Sequence, residues 1–116
     1  MTVKIYHKPR CSKSRETLKL LQAKGIEPEI IEYLKTPPTE QELADILDLL
    51  GLEPRDLMRK KEKEYKENGL DNESLSREQL IAAMVKFPRL IERPIVLANG
   101  KAAIGRPPEN VLDIVS

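Results

Sequence analysis

The chain has 116 residues, 40% of them apolar and 3% aromatic, and its 20 Lys and Arg against 19 Asp and Glu leave a formal net charge of +1. That length suits one domain, the apolar content argues against disorder, and the near-cancelling charge gives no global attraction to nucleic acid or an anionic membrane surface. No stretch approaches the roughly 18 continuous apolar residues of a membrane span, and a single cysteine excludes an intramolecular disulfide, so a cytoplasmic location is expected.

Val3-Lys4-Ile5-Tyr6 alternates apolar and polar residues and predicts a first strand. It gives none of the long apolar region of a secretory signal. His7-Lys8-Pro9-Arg10-Cys11-Ser12 breaks the alternation as a turn. A helix is predicted from Ser12 through Leu18, Leu20 and Leu21 to Lys24, with Gly25 as its cap. Pro28 to Tyr33 reads as a second strand, so the opening is a βαβ unit with parallel pairing. Thr36-Pro37-Pro38 forms a rigid turn, and Thr39 with Glu42 makes a capping box. Leu43, Ile46, Leu47 and Leu50 mark the buried stripe of the next helix, and Gly51 ends it.

From Glu53 to about Asn68 the charged sequence predicts helix, interrupted near Gly69. A second capping box, Ser76 with Gln79, starts a helix carrying Leu80, Ile81, Met84 and Phe87, which Pro88 stops or bends. Pro94 to Leu97 predicts a strand, Asn99-Gly100 a hairpin turn, and Lys101 to Ile104 the return strand. Gly105-Arg106-Pro107-Pro108 then leads to a short helix with Val111, Leu112 and Val115. The expected architecture is α/β with a mixed sheet: βαβ, an all-helical insertion over about 39–88, then a β-hairpin and a C-terminal helix. All of 1–116 is read as one domain with the thioredoxin-like order of elements.

Cys11 falls in the turn between the first strand and first helix. Open α/β sheets place ligands at that end of their strands. A helix N-terminus also favours an anion there, through unpaired N–H groups and the macrodipole. A thiolate at that position should have a depressed pKa. His7, Lys8, Arg10 and Arg15 add positive charge nearby, and the Ser12 and Ser14 hydroxyls are candidate donors to the sulphur. A free cysteine is often a small buried apolar residue, but a Pro-containing cationic turn is a poor setting for one. His7 reads equally as a thiolate stabiliser or as a polar residue closing a strand. Ser14 stands where a Cys-x-x-Cys motif would carry its second cysteine, so that internal disulfide cannot form. The run Arg59 to Glu64 reads as a solvated helix face, and Arg55, Arg77 and Arg89 as surface charges. Arg15 comes four residues after Cys11, against five in a Cys-x5-Arg phosphatase loop. There is no Gly-rich phosphate loop, and one cysteine with one histidine offers no metal site.

His7-Lys8-Pro9-Arg10-Cys11-Ser12-Lys13-Ser14-Arg15 resembles the active-site loop of the glutaredoxin-dependent, ArsC-like arsenate reductases. The resemblance extends over Thr36-Pro37-Pro38-Thr39, Leu57-Met58-Arg59, Glu92-Arg93-Pro94-Ile95-Val96 and Ile104-Gly105-Arg106-Pro107-Pro108. It implies a thioredoxin-like fold, Cys11 as nucleophile, and Arg59, Arg93 and Arg106 around an oxyanion. It also implies a cis-proline at Pro94, glutathione as co-substrate and glutaredoxin as partner, with no bound cofactor and no metal. Guanidinium suits such an anion because its planar, permanently charged donors match oxyanion geometry. Lys8 and Ser12 differ from the Asn and Gly of family members with established arsenate chemistry. Two other classes share the fold: a non-catalytic Spx-like regulator that binds RNA polymerase, and a glutathione-linked thiol oxidoreductase. The three arginines favour the enzyme reading, since a protein-binding module does not need them.

Overall fold

The computed structural model describes residues 2–115. It divides into two compact units, one formed by the chain up to Thr36 together with the chain from Arg93 onward, the other by Pro37–Glu92.

In the first unit, β1 (Lys4–His7), β2 (Glu29–Glu32), β3 (Ile95–Ala98) and β4 (Lys101–Ile104) form a sheet in the order β2-β1-β3-β4. β1 pairs parallel with β2, in the register Ile5 to Ile30, and antiparallel with β3, in the register Ile5 to Val96. The parallel pair requires a crossover, which α1 (Ser12–Ala23) supplies. The hairpin between β3 and β4 turns at Asn99 and Gly100, with φ of 54° and 71°. Positive φ at both central residues is what a tight two-residue hairpin demands, and Asn-Gly tolerates it best. Past β4 a 3-10 turn (Pro108–Val111) runs into α6 (Leu112–Val115).

Alternation along β1 decides what meets α1. Val3 and Ile5 lie in one apolar cluster with Leu21, Val96, Ala98, Val111 and Ile114. His7, two residues beyond Ile5, continues the same face to the carboxyl end of the strand. On α1 the buried residues are Ser14, Thr17 and Leu21, spaced as one helical stripe. Aliphatic residues therefore meet at one end of the strand–helix contact, while polar ones, His7 and Ser14, meet at the other.

The second unit holds α2 (Glu40–Leu50), α3 (Pro54–Leu57), α4 (Lys63–Glu67) and α5 (Arg77–Lys86). Both predicted capping boxes form, Thr39 with Glu42 and Ser76 with Gln79, and Gly51 closes α2 with φ of 68°. Leu43, Ile46, Leu47, Leu57, Leu80, Ile81 and Met84 are all buried.

The charged stretch from Glu53 departs from the expected helix. It breaks between α3 and α4, where Met58 forms a β-bridge with Ile91. The Arg59 N–H donates to the Leu90 carbonyl at 2.7 Å, and the Glu92 N–H to the Leu57 carbonyl at 2.9 Å. A distant segment thus takes the main-chain groups that a continuous helix would use itself. The run from Arg59 to Glu64 is accordingly not one solvated face, for the Glu62 and Glu64 side chains keep only 19% and 14% exposure where they pair with Arg89. Arg55 is likewise no free surface charge. Its guanidinium donates to Tyr65 Oη at 3.2 Å and to the carbonyls of Leu70 and Asn72, pinning the chain that follows α4.

Candidate active site around Cys11

The turn into α1 is closed by the Cys11 N–H, which donates to the Lys8 carbonyl at 3.0 Å. Cys11 is the N-cap of α1, with φ −91° and ψ 122°, so its side chain stands over the open N–H groups of the first turn. The residue is 9% exposed. Burial pushes the thiol pKa up, yet the net direction is down. The Ser14 N–H, the Arg93 guanidinium and the Lys13 N–H all favour the thiolate and outweigh the desolvation.

Arg106 approaches the same sulphur, its Nη2 standing 3.7 Å from Cys11 Sγ. Its Nε donates to the Arg93 carbonyl at 2.8 Å, which fixes one arginine by the backbone of the other. The Arg93–Pro94 bond is cis, as the resemblance implied, and so is Arg106–Pro107, which the sequence reading did not foresee. Two guanidiniums and two main-chain donors therefore converge on one sulphur. An oxyanion bonded to that sulphur would meet donors on several sides.

His7 and Ser14 hold the loop differently from expectation. The His7 imidazole is buried, and its Nδ1 lies 2.6 Å from Ser14 Oγ, which also accepts from the Lys8 N–H at 3.1 Å. With Oγ already accepting, its own proton is available for Nδ1, an assignment that suits a neutral ring protonated on Nε2. Burial lowers the His7 pKa from 6.5, with Glu32 opposing the shift and Arg15 adding to it. The positive charge expected from His7 is thus weak at neutral pH, and the ring instead fixes Ser14. The Ser14 hydroxyl is engaged by His7 and Lys8, so the donor to sulphur is the Ser14 main-chain N–H. Ser12 is exposed at the mouth of the turn, and Arg15 donates to the Pro9 carbonyl at 2.8 Å, bracing the loop from outside.

Arg59 lies in the other unit, in the break after α3, where its Nη1 pairs with Glu92 Oε1 at 2.9 Å. Two residues that the sequence reading passed over complete the first unit's site. Thr17 is fully buried, and its Oγ1 donates to the Lys13 carbonyl at 2.8 Å while lying 3.4 Å from the Gly105 carbonyl oxygen. A Cβ on Gly105 would meet Thr17 Oγ1 and lie 2.8 Å from Pro94 Cγ, so only glycine lets α1, Pro94 and the strand leading to Arg106 approach this closely. A polar residue on the apolar stripe of α1, three residues after Ser14, was the available signal for Thr17. Among the described residues no group of His, Cys, Asp and Glu could hold a metal ion, and no helix is long and apolar enough to cross a membrane.

A βαβ unit joined to a β-hairpin, with a cysteine capping the first helix, defines a thioredoxin-like protein. The ArsC family model matches residues 6–114, and the chain belongs to the ArsC family. It is 62% identical over 114 residues to the Escherichia coli K12 protein YfgD, covering 97% of this chain and 96% of YfgD. It is 56% identical over 110 residues to a Neisseria meningitidis protein named arsenate reductase, covering 94% of each chain. A solved structure titled arsenate reductase from Vibrio cholerae superposes with a TM-score of 0.96 at 55% identity, covering 99% of this chain and 98% of that one.

Proposed function

We propose that the protein is an arsenate reductase that works through a covalent adduct on Cys11 and draws its electrons from glutathione. The observation that carries this reading is the convergence of Arg93, Arg106 and the Ser14 and Lys13 amides on a single sulphur. Relatives and solved structures named arsenate reductase support the choice of oxyanion. Arg59 joins the anion site by family resemblance, which gives it the third guanidinium.

In the first step the Cys11 thiolate attacks the arsenic of arsenate. A sulphur–arsenic bond forms, and one arsenate oxygen leaves with protons as water. The arginines hold the charge on the remaining oxygens, and the helix N-terminus holds the thiolate before attack. Arsenic is still pentavalent at this point. A glutathione thiolate then attacks Cys11 Sγ, the sulphur–arsenic electron pair stays with arsenic, and arsenite departs. The two sulphurs have supplied both electrons and are joined as a mixed disulfide. A glutaredoxin thiolate next attacks the glutathione sulphur of that disulfide and releases Cys11 as a thiolate.

The test is arsenate-dependent NADPH consumption with glutathione, glutaredoxin and glutathione reductase present. Turnover that disappears in Cys11→Ser is the expected outcome. Absence of any rate above the enzyme-free background would overturn the assignment of arsenate.

A further inference from the structure

Arg106 is an exposed residue, yet its Nη2 stands 3.7 Å from Cys11 Sγ. An exposed arginine ordinarily moves among many rotamers, so a guanidinium that must face one sulphur needs both its fork and its stem held. The fork is held where Arg106 Nε donates to the Arg93 carbonyl at 2.8 Å. The stem is harder to hold. Pro107 and Pro108 follow it, and neither has a main-chain N–H, so the usual donors of a turn are missing at this point in the chain.

Upstream, the Gly105 N–H donates to the Pro94 carbonyl at 2.9 Å. Downstream, Asn110 supplies what the prolines lack. Its Nδ2 donates to the Arg106 carbonyl at 3.1 Å, and its main-chain N–H donates to the Pro107 carbonyl at 3.0 Å. Only a donor can face a carbonyl oxygen, so this side belongs to the amide nitrogen. Asn110 is itself exposed, but its neighbours in the 3-10 turn Pro108–Val111 are not. Pro108 is buried, and Val111 is 0% exposed in the apolar cluster with Leu21 and Val96. The side chain that grips Arg106 is thus rooted in the core of the same unit as Cys11.

We propose that Asn110 is a positioning residue for the anion site: its side-chain amide fixes the main chain of Arg106, and through it the guanidinium that faces an anion reacting at Cys11. One line of hydrogen bonds runs from the anchored turn through Asn110 to Arg106, and from Arg106 to Arg93. It sets the direction of one arginine and ties it to the other. The consequence for arsenate turnover rests on the function proposed above, whereas the consequence for the reactivity of Cys11 does not.

The experiment alkylates Cys11 with iodoacetate, an anion, and with iodoacetamide, its neutral counterpart of nearly the same size. At one pH the ratio of the two rates cancels the thiolate fraction and leaves the pull of the site on an anion. Asn110→Leu removes the amide, keeps a branched side chain and adds no charge. It should lower that ratio about threefold or more, the usual worth of one hydrogen bond. The pH midpoint of the iodoacetamide reaction should stay near its native value, since the donors that lower the thiol pKa are the Ser14 and Lys13 N–H groups and Arg93. Arg106→Leu should lower the ratio at least as far. Adding Asn110→Leu to it should change nothing more, because a residue that acts through Arg106 then has nothing to position. Asn110→Gln, which keeps an amide donor, should recover part of the loss. A ratio indifferent to Asn110→Leu, or one that falls equally with and without Arg106, would overturn the assignment. A midpoint that moves in step with the ratio would do the same, since the whole loop would then have loosened. With arsenate as substrate, kcat/KM should fall by a similar factor in Asn110→Leu. The expected ratios in a protein that does not turn over arsenate would overturn the function and leave Asn110 in its role.

Discussion

Desolvation alone would make Cys11 a poor nucleophile, since burial disfavours the charged form. What reverses the sign is a set of fixed donors, two of them main-chain N–H groups and the strongest side chain Arg93. Because Lys offers a point charge where Arg offers a planar fork, Arg93→Lys should lower kcat/KM for arsenate by about 10²-fold, as for removal of an oxyanion donor. Arg77→Lys, at a surface pair with Asp48, should leave it nearly unchanged. Alkylation rate against pH should show the native Cys11 titrating below an ordinary thiol, and Arg93→Gln should move that midpoint upward. His7 gives a second pH dependence. Its folded-state pKa is lowered, so the folded protein binds fewer protons than the unfolded chain. The contribution is fully present above the unfolded pKa, near 6.5, and is lost as pH falls through that value toward the depressed one. Urea unfolding across this window should show stability declining on acidification in the native protein, with a flatter profile in His7→Gln. Parallel profiles would show that His7 is not the group responsible.

The strand–helix contact is where local pattern becomes site geometry. Thr17 in α1, Pro94 just before β3 and Gly105 just after β4 meet with no room for a further carbon. Gly105→Ala should therefore cost about 1–3 kcal/mol in stability, the usual penalty for overpacking. It should also weaken arsenate binding, because Arg106 is the next residue. Thr17→Ala removes the nearest obstructing atom, so the double variant should recover part of both losses, which thermal unfolding and arsenate KM would measure. A double variant no better than Gly105→Ala alone would show that the Thr17 contact does not set the spacing. Elements whose signals are local were legible in the sequence. The capping residues Thr39 and Ser76 announced α2 and α5, the spacing Leu43, Ile46 and Leu47 marked the buried stripe, and Asn99-Gly100 announced the hairpin. The stretch after Pro54 was not, because its conformation is set by main-chain bonds from Leu57 and Arg59 to Glu92 and Leu90, more than thirty residues away. Arg55 was misread for the same reason, its partners Tyr65, Leu70 and Asn72 being remote in sequence.

For the molecule as a whole, the cysteine count constrains the chemistry most. The loop around Cys11 was legible because a strand end, a proline and a helix start are consecutive in the chain. The roles of Ser14 and His7 were not, because they depend on which hydrogen bonds a buried pair makes. Reducing arsenic from the pentavalent to the trivalent state takes two electrons, and two thiolates supply them by becoming a disulfide. Cys11 has no partner in this sequence, so the second sulphur must come from another molecule. A small thiol can reach a residue that is 9% exposed between two arginines, whereas a folded dithiol protein must present its cysteine past the same side chains. Turnover should thus require glutathione. A reaction stalled by omitting glutaredoxin should accumulate a glutathione adduct on Cys11, detectable by mass spectrometry of the intact protein and of the Cys11 peptide. Thioredoxin with its reductase should not substitute when glutathione is absent. Sustained turnover with thioredoxin alone would move the electron source to a protein dithiol while leaving Cys11 as the nucleophile, because Cys11→Ser would still abolish it.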